Sequence, residues 1–267
     1  MLWGLGLGTW LLGFTLTLLL AGCARPRLTL PTDPGAPLPD FRSIHAPLSS
    51  ACAGVRTLTT ELALSGRAGR QRLRGRVVAG FARPASMRLE GVAPFGPPAF
   101  ILASRPDMTI LLLPRDSRVL RGARAEDILG ALTGVTFGPA DLLAILTGCV
   151  APAPQPTGGR LHGNGWASID LMGGATVYLQ KRGNAWQLRA ARRPGWQIEY
   201  PAWSGAFPQS VRLQADDAAL MVDLTAAMSQ VETNVDLDES AFTVNVPSDA
   251  ETITLEELRQ NGPLGER

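Results

Sequence analysis

The sequence predicts a mainly β protein, with about 11–12 strands forming one antiparallel sheet that curls over an apolar face beneath a lid of helices. Three observations predict it. Short runs of strand-forming residues recur between closely spaced turn residues, leaving no room for crossover helices, so neighbouring strands must pair antiparallel. Within the runs, apolar and polar residues alternate. The pattern breaks once, at two segments with apolar residues at helical spacing.

The chain opens on MLWGLGLGTWLLGFTLTLLLAGC, an apolar run ending in small residues and a cysteine, the layout of a secretory leader. Leu20-Ala21-Gly22-Cys23 resembles the lipobox of bacterial lipoproteins. That predicts a leader over residues 1–22 and an acylated Cys23 at the mature N-terminus. The run is also nearly long enough to span a bilayer, so a transmembrane anchor is the alternative. Ala24–Asp40 holds five prolines and reads as an extended, semi-rigid spacer, from which a folded part over residues 41–264 hangs at some distance from a membrane. Ala24 is not the acidic residue that retains some lipoproteins at the inner membrane. The expected address is therefore the outer membrane, facing the periplasm.

Pro47–Thr60 predicts a first helix with Pro47 at its start. Strands are expected over Leu62–Arg67, Leu73–Phe81, Met87–Val92, Phe100–Ser104, Thr109–Leu113 and Arg118–Arg121. Between the third and fourth, Pro94-Phe95-Gly96-Pro97-Pro98 cannot continue a ladder and must project as a turn, carrying an exposed Phe95. Ala123–Gly134 and Pro139–Cys149 predict the helical pair; Pro139 opens the second helix and Gly148 closes it. Strands resume over Gly165–Leu171, Thr176–Lys181, Ala185–Ala190, Trp196–Tyr200, Ser210–Ala215 and Leu220–Leu224, and Leu255–Gly262 predicts a final short helix.

Alternation places Leu73, Val77 and Phe81 on the apolar side of their strand, opposite Arg72, Arg74 and Arg76. Trp186 and Leu188, Trp196 and Ile198, and Val211 and Leu213 share that side in later strands, as Leu89 does in Met87–Val92. Leu142, Ile145 and Leu146 give the second helix an apolar face toward them. These residues line a cavity, or else they touch one another and fill a core. The arginine run Arg67, Arg70, Arg72, Arg74 and Arg76 reads either as a solvated strand face or as a contact for anionic lipid.

With leader, spacer, curled sheet and helical pair in place, the chain resembles the LolB/LolA-like lipoprotein-sorting family over about Leu58 to Leu258. The resemblance is strongest in Arg88-Leu89-Glu90 through Pro94-Phe95-Gly96, and in Asp127-Ile128-Leu129 through Gly134 with Pro139, Leu142-Leu143 and Gly148. It implies an incomplete β-barrel enclosing an apolar cavity under a helical lid. The cavity would bind acyl chains of lipoproteins, delivered by a soluble periplasmic LolA-like carrier, and the protein would pass them into the outer membrane. Phe95, flanked by Pro94 and Gly96, falls on the family's protruding apolar residue, normally a leucine, which helps deliver cargo into the bilayer. A lipid-binding or envelope-scaffold lipoprotein without a transfer role is the alternative within the same fold.

Composition narrows the partners. A net charge of +2 gives no case for nucleic acid, and of the 25 basic residues only Lys181 is a lysine. Beyond Cys23, Cys52 and Cys149 form an even pair, expected to be a disulfide in an oxidising compartment. A nucleophilic or metal-binding thiol is the other reading, but neither His45 nor His162 adjoins a cysteine. No HExxH, Gly-x-Ser-x-Gly, phosphate-binding glycine loop or Cys-x-x-Cys occurs. Asp216-Asp217 and Glu256-Glu257 read as solvated charges and His162 as a loop residue. The expectation is a monomeric, non-catalytic protein without metal or cofactor.

Overall fold

A computed structural model describes residues 28–69 and 71–260. The leader, Cys23, the first residues of the spacer and Arg70 lie outside the described residues. In chain order the elements are β1 (Ala36–Pro37), α1 (Phe41–Ala53), β2 (Thr57–Ala68), β3 (Gln71–Ala82), β4 (Ser86–Val92), β5 (Ile101–Arg105), β6 (Met108–Leu113) and β7 (Arg118–Arg121). Then follow α2 (Ala125–Thr133), α3 (Pro139–Leu146), β8 (Pro156–His162), β9 (Trp166–Leu171), β10 (Ala175–Arg182), β11 (Ala185–Arg193) and β12 (Trp196–Ser204). The chain closes with β13 (Phe207–Ala215), β14 (Asp223–Thr233), β15 (Glu251–Thr252) and α4 (Leu255–Gln260).

All the described strands join one sheet in the order β1-β8-β9-β10-β11-β12-β13-β14-β2-β3-β4-β5-β6-β7-β15. Every pairing is antiparallel except β15 on β7. The order follows the chain apart from three junctions: β1 pairs with β8, β7 with β15, and β14 pairs back onto β2 from Asp223↔Arg67 to Thr233↔Leu58. The two ends of the order, β1 and β15, do not meet, so the sheet is an incomplete barrel. It coils around a single apolar cluster shared by its concave face and by α2, α3 and α4. This is the architecture expected from alternation and turn spacing, with fifteen strands among the described residues, two of them only two residues long.

Several expectations need correction. The first helix covers Phe41–Ala53, not Pro47–Thr60, and Pro47 lies inside it. Thr57–Thr60 begins β2 instead, because Leu58, Thr60 and Leu62 alternate inward and are buried. β8 was not foreseen: PTGGRLH carries a proline and two glycines, the residues that normally mark a loop. Gly159 is required there, since a Cβ would come within 2.4 Å of the Phe41 Cβ. β14 extends over TAAMSQVET, a stretch of low strand propensity held by β13 on one side and β2 on the other. The last helix ends its described part at Gln260.

The convex face is not uniformly polar. Tyr178 and Ala190 pack there with Leu30, against Leu28 and Trp166. Ile110, Leu112 and Val119 form a second outer patch under Val244, Val246 and Ala250. Both patches are covered by segments without regular structure of their own. The upstream one is the predicted spacer, which from Leu28 onward does not hang free. Leu28 N–H donates to Glu199 Oε1 at 2.9 Å and Leu30 is buried. Asp33 sits 3.1 Å from His162 Nδ1, Ala36 pairs with Leu161, and Leu38 N–H donates to the Gly159 carbonyl at 3.0 Å. Proline-rich composition keeps a segment extended, but an extended segment can still lie as a strap along a sheet. The boundary expected at residue 40 is therefore not a break in packing.

Candidate functional site: interior, lid and rim

Strand alternation brings the thirteen predicted lining residues together in one cluster. Val77, Phe81, Leu89, Ile145, Leu146, Leu188, Trp196, Ile198 and Val211 are buried in it, while Leu73, Leu142, Trp186 and Leu213 pack against it partly exposed. They pack against one another in that cluster, and among the described residues their burial leaves no wide space between sheet and lid. A crevice of about 10 Å³ opens beside it, lined by His45, Leu48, Ser49, Gly148, Cys149, Val177, Leu179 and Leu188. That holds one water molecule at most. Of the two readings left open by alternation, the packed interior is the state of this structure.

The lid is fastened to the sheet by polar contacts that periodicity did not reveal. Arg193, at the end of β11, donates to Asp141 Oδ1 in the first turn of α3 at 2.7 Å and to the Val150 carbonyl at 3.1 Å. Its guanidinium lies 4.9 Å above the Phe137 ring, whose centroid is 5.2 Å from that of Trp196. Tyr200, fully buried, donates its hydroxyl to the Ile145 carbonyl at 3.2 Å, and burial pushes its pKa up. Trp203 Nε1–H donates to the Leu188 carbonyl at 3.1 Å. Gly148, in the left-handed region at φ +84°, lets the chain leave α3, and a Cβ there would come within 2.8 Å of the Trp203 ring. Cys52 and Cys149 are joined in a disulfide with Cα atoms 5.6 Å apart, tying the end of α1 to the end of the lid.

Phe95 stands on the loop between β4 and β5 and is 88% exposed. The loop is narrow and held at its neck: Gly91 N–H donates to the Phe100 carbonyl at 3.0 Å, and Ala99 N–H to the Gly91 carbonyl at 2.9 Å. Gly91 has no room for a side chain, because a Cβ would meet the Phe100 ring at 2.6 Å. Arg115, in the β6–β7 turn, donates to the Phe95 carbonyl at 2.7 Å and to the Pro97 carbonyl at 3.3 Å. The projection is thus braced at base and tip. Pro94 and Gly96 flank it as expected, both exposed, with Gly96 at φ +75°.

Register places other turns on the same rim. The β9–β10 turn, the β11–β12 turn, the β13–β14 loop, the β2–β3 hairpin tip and the β6–β7 turn all lie at that end of the sheet. Of the nine large apolar residues exposed among the described residues, five are there: Val92, Phe95, Met172, Leu220 and Met221. The concentration distinguishes this rim from the opposite one.

The remaining polar candidates have structural roles. His162 is wedged between Asp33 and Ser168 Oγ, at 3.1 and 2.9 Å, so it clamps the strap to β9. Glu257 accepts from Thr254 N–H at 2.7 Å while Thr254 Oγ1 accepts from Glu257 N–H at 3.2 Å, a capping box that starts α4 and holds the Glu257 carboxyl below its ordinary pKa. Glu256 bonds Gln260 one turn on. Asp216 and Asp217 are exposed, and Asp217 accepts from Ala219 N–H at 2.8 Å. No group of three or more His, Cys, Asp or Glu positioned for a metal occurs among the described residues.

No family model matches the chain, and no curated protein matches its sequence. Solved structures do match. A DUF1329 family protein from Desulfovibrio piger superposes with a TM-score of 0.51 at 11% identity, covering 78% of this chain and 98% of that one. A LolA superfamily protein from Nitrosomonas europaea follows, with a TM-score of 0.49 at 9% identity, covering 74% and 97%. The Mycobacterium tuberculosis lipoprotein LppX matches with a TM-score of 0.31 at 11% identity, covering 72% and 96%. At 11% identity the likeness to the DUF1329 family structure shows a shared fold and nothing further.

Proposed function

We propose that this chain is a membrane-anchored, non-catalytic lipoprotein of the outer membrane that accepts acyl chains of other lipoproteins from a soluble LolA-like carrier and passes them into the bilayer. The observation that carries this reading is the braced Phe95 projection, an 88% exposed phenylalanine on the rim that gathers most of the exposed large apolar residues. A large apolar side chain held in water by a stiff loop costs solubility and adds no core contact, so its use lies in a partner. Cys23 would supply the anchor, and acylation by more than one chain would make it stable.

Acyl-chain uptake into a packed interior requires the lid to move. The Arg193–Asp141 contact and the Phe137–Trp196 pair are the points that must release. The packed interior favours a second reading, an envelope lipoprotein of the same fold that transfers nothing. One measurement separates them: loading a LolA-like carrier with a labelled lipoprotein and following the label to this protein and then to acceptor vesicles. Passage of the label supports the receptor; lipid binding without passage supports the second reading.

A further inference from the structure

The β2–β3 hairpin stands on the same rim as Phe95. β3 pairs with β4 only from Arg76↔Val92 onward, so Gln71–Gly75 extends past the end of β4 with one edge unpaired. A five-residue extension of this kind projects by roughly 16 Å. Its convex face carries Arg67, Arg72 and Arg74, all exposed. Arg67 and Arg72 are direct cross-strand partners, and like charges facing each other across a ladder are destabilising. No acidic side chain lies within ion-pairing distance of these three among the described residues. Arg76 takes Glu61; Asp223, across the ladder from Arg67 on the other side, is held by Arg212 at 2.7 Å. Asp216 and Asp217, on the neighbouring loop, form no ion pair with Arg67, Arg72 or Arg74.

The strap supplies a second, independent observation. Its first described residue lies near this rim, since Leu28 bonds Glu199 and Gln197 close to the end of β12 that meets the β11–β12 turn. Five residue steps lead from Cys23 to that docked point at Leu28. They span about 17 Å at most. An anchor on so short a leash brings the Phe95 rim, rather than the opposite one, to the membrane surface.

We propose that the arginine face of the β2–β3 hairpin is a docking surface for anionic phospholipid headgroups of the anchoring membrane, engaging the bilayer beside Phe95. This rests on the membrane-facing rim of the function proposed above, but not on cargo transfer. Guanidinium groups suit the task because their planar donors match phosphate oxygens two at a time. Lipid phosphates also relieve the unpaired Arg67–Arg72 repulsion. The attraction acts within a Debye length of the surface and is screened by salt, unlike insertion of Phe95.

The test uses the full chain reconstituted into vesicles, with an environment-sensitive dye on Gln71→Cys at the hairpin tip and a quencher borne on lipid headgroups. Quenching should be stronger in vesicles containing phosphatidylglycerol than in pure phosphatidylcholine, and high salt should erase the difference. Each arginine near an anionic surface contributes about fivefold, so Arg67→Gln/Arg72→Gln/Arg74→Gln should lower the docked-to-undocked ratio on the order of a hundredfold. A melting curve unchanged by these exposed substitutions excludes misfolding as the cause. Equal quenching in both lipids, or quenching indifferent to the triple substitution, overturns the proposal and leaves the arginines as guards of an open strand edge. Transfer measured separately into neutral acceptor vesicles keeps the two ideas apart. Lost transfer with an intact charge response defeats the receptor reading alone, and the reverse defeats the hairpin alone.

Discussion

Phe95 and His162 show how much a single side chain depends on what its neighbours allow. Phe95 is exposed because prolines on both sides and Gly96 prevent the loop from folding back, while Arg115 holds the backbone rather than the ring. Its truncation should therefore leave the melting temperature almost unchanged, whereas a buried phenylalanine costs about 3–5 kcal/mol. Transfer of cargo into vesicles should slow in Phe95→Ala and slow further in Phe95→Glu, since a carboxylate resists leaving water. A large fall in melting temperature would show that the ring packs after all. His162, by contrast, has its side chain buried and both ring nitrogens within hydrogen-bonding distance of a partner, so an unremarkable loop residue by motif is a clamp by position.

Among the elements, the lid and α1 carry the testable energetics. Arg193→Ala removes a partly exposed ion pair, a bond to the Val150 carbonyl and a cation over Phe137 at once. With solvent screening the cost should be about 1–2 kcal/mol in a urea titration, accompanied by faster uptake of a fluorescent fatty acid. Unchanged uptake would mean that the lid opens elsewhere. The Cys52–Cys149 bridge closes a loop with a sequence separation of 97, worth roughly 4–5 kcal/mol in the chain-entropy view, so the double Cys→Ser variant should unfold at markedly lower urea. In α1, burial holds the His45 pKa below 6.5. The unfolded chain then takes up the proton first as pH falls, so stability is complete above about pH 7 and declines as pH drops through 6.5 toward the native value. Urea midpoints at pH 7.5 and 5.5 should differ more for the wild type than for His45→Leu; equal differences would remove His45 from the account.

At the scale of the whole molecule, two irregular segments finish a sheet that is not closed by its own strands. The strap covers Tyr178 and Ala190, and the stretch through Val244, Val246 and Ala250 covers Ile110, Leu112 and Val119. Covered patches of this kind keep an incomplete barrel from presenting apolar surface to solvent. In the orientation proposed above, the strap would set which rim faces the membrane. Leu30→Asp should release it, because a buried leucine contributes about 1.5–3 kcal/mol and a carboxylate in its place must be solvated. Amide exchange across Leu28–Leu38 should rise, and Phe95-dependent transfer should fall although the loop itself is untouched. Full transfer with a released strap would show that orientation is set by the rim alone.

What the sequence determined by itself was everything carried by local periodicity and turn chemistry. Alternation named the inward side of five strands, from Leu73 and Val77 on β3 to Val211 and Leu213 on β13, because side-chain direction in a strand has period two. Prolines and glycines located the Phe95 projection, and helical spacing located α2 and α3 to within a few residues. Only the tertiary structure decided the rest. Whether apolar faces enclose space or fill it depends on how side-chain volumes mesh between Ile145 on α3 and Ile198 on β12, which no window of sequence contains. The strap's docking rests on pairs such as Leu28–Glu199, separated by 171 residues, and the lid latch on Arg193–Asp141, separated by 52. Proline content makes a segment extended; the surface against which it lies is made by distant strands, and contacts that far apart are visible only once the chain has folded.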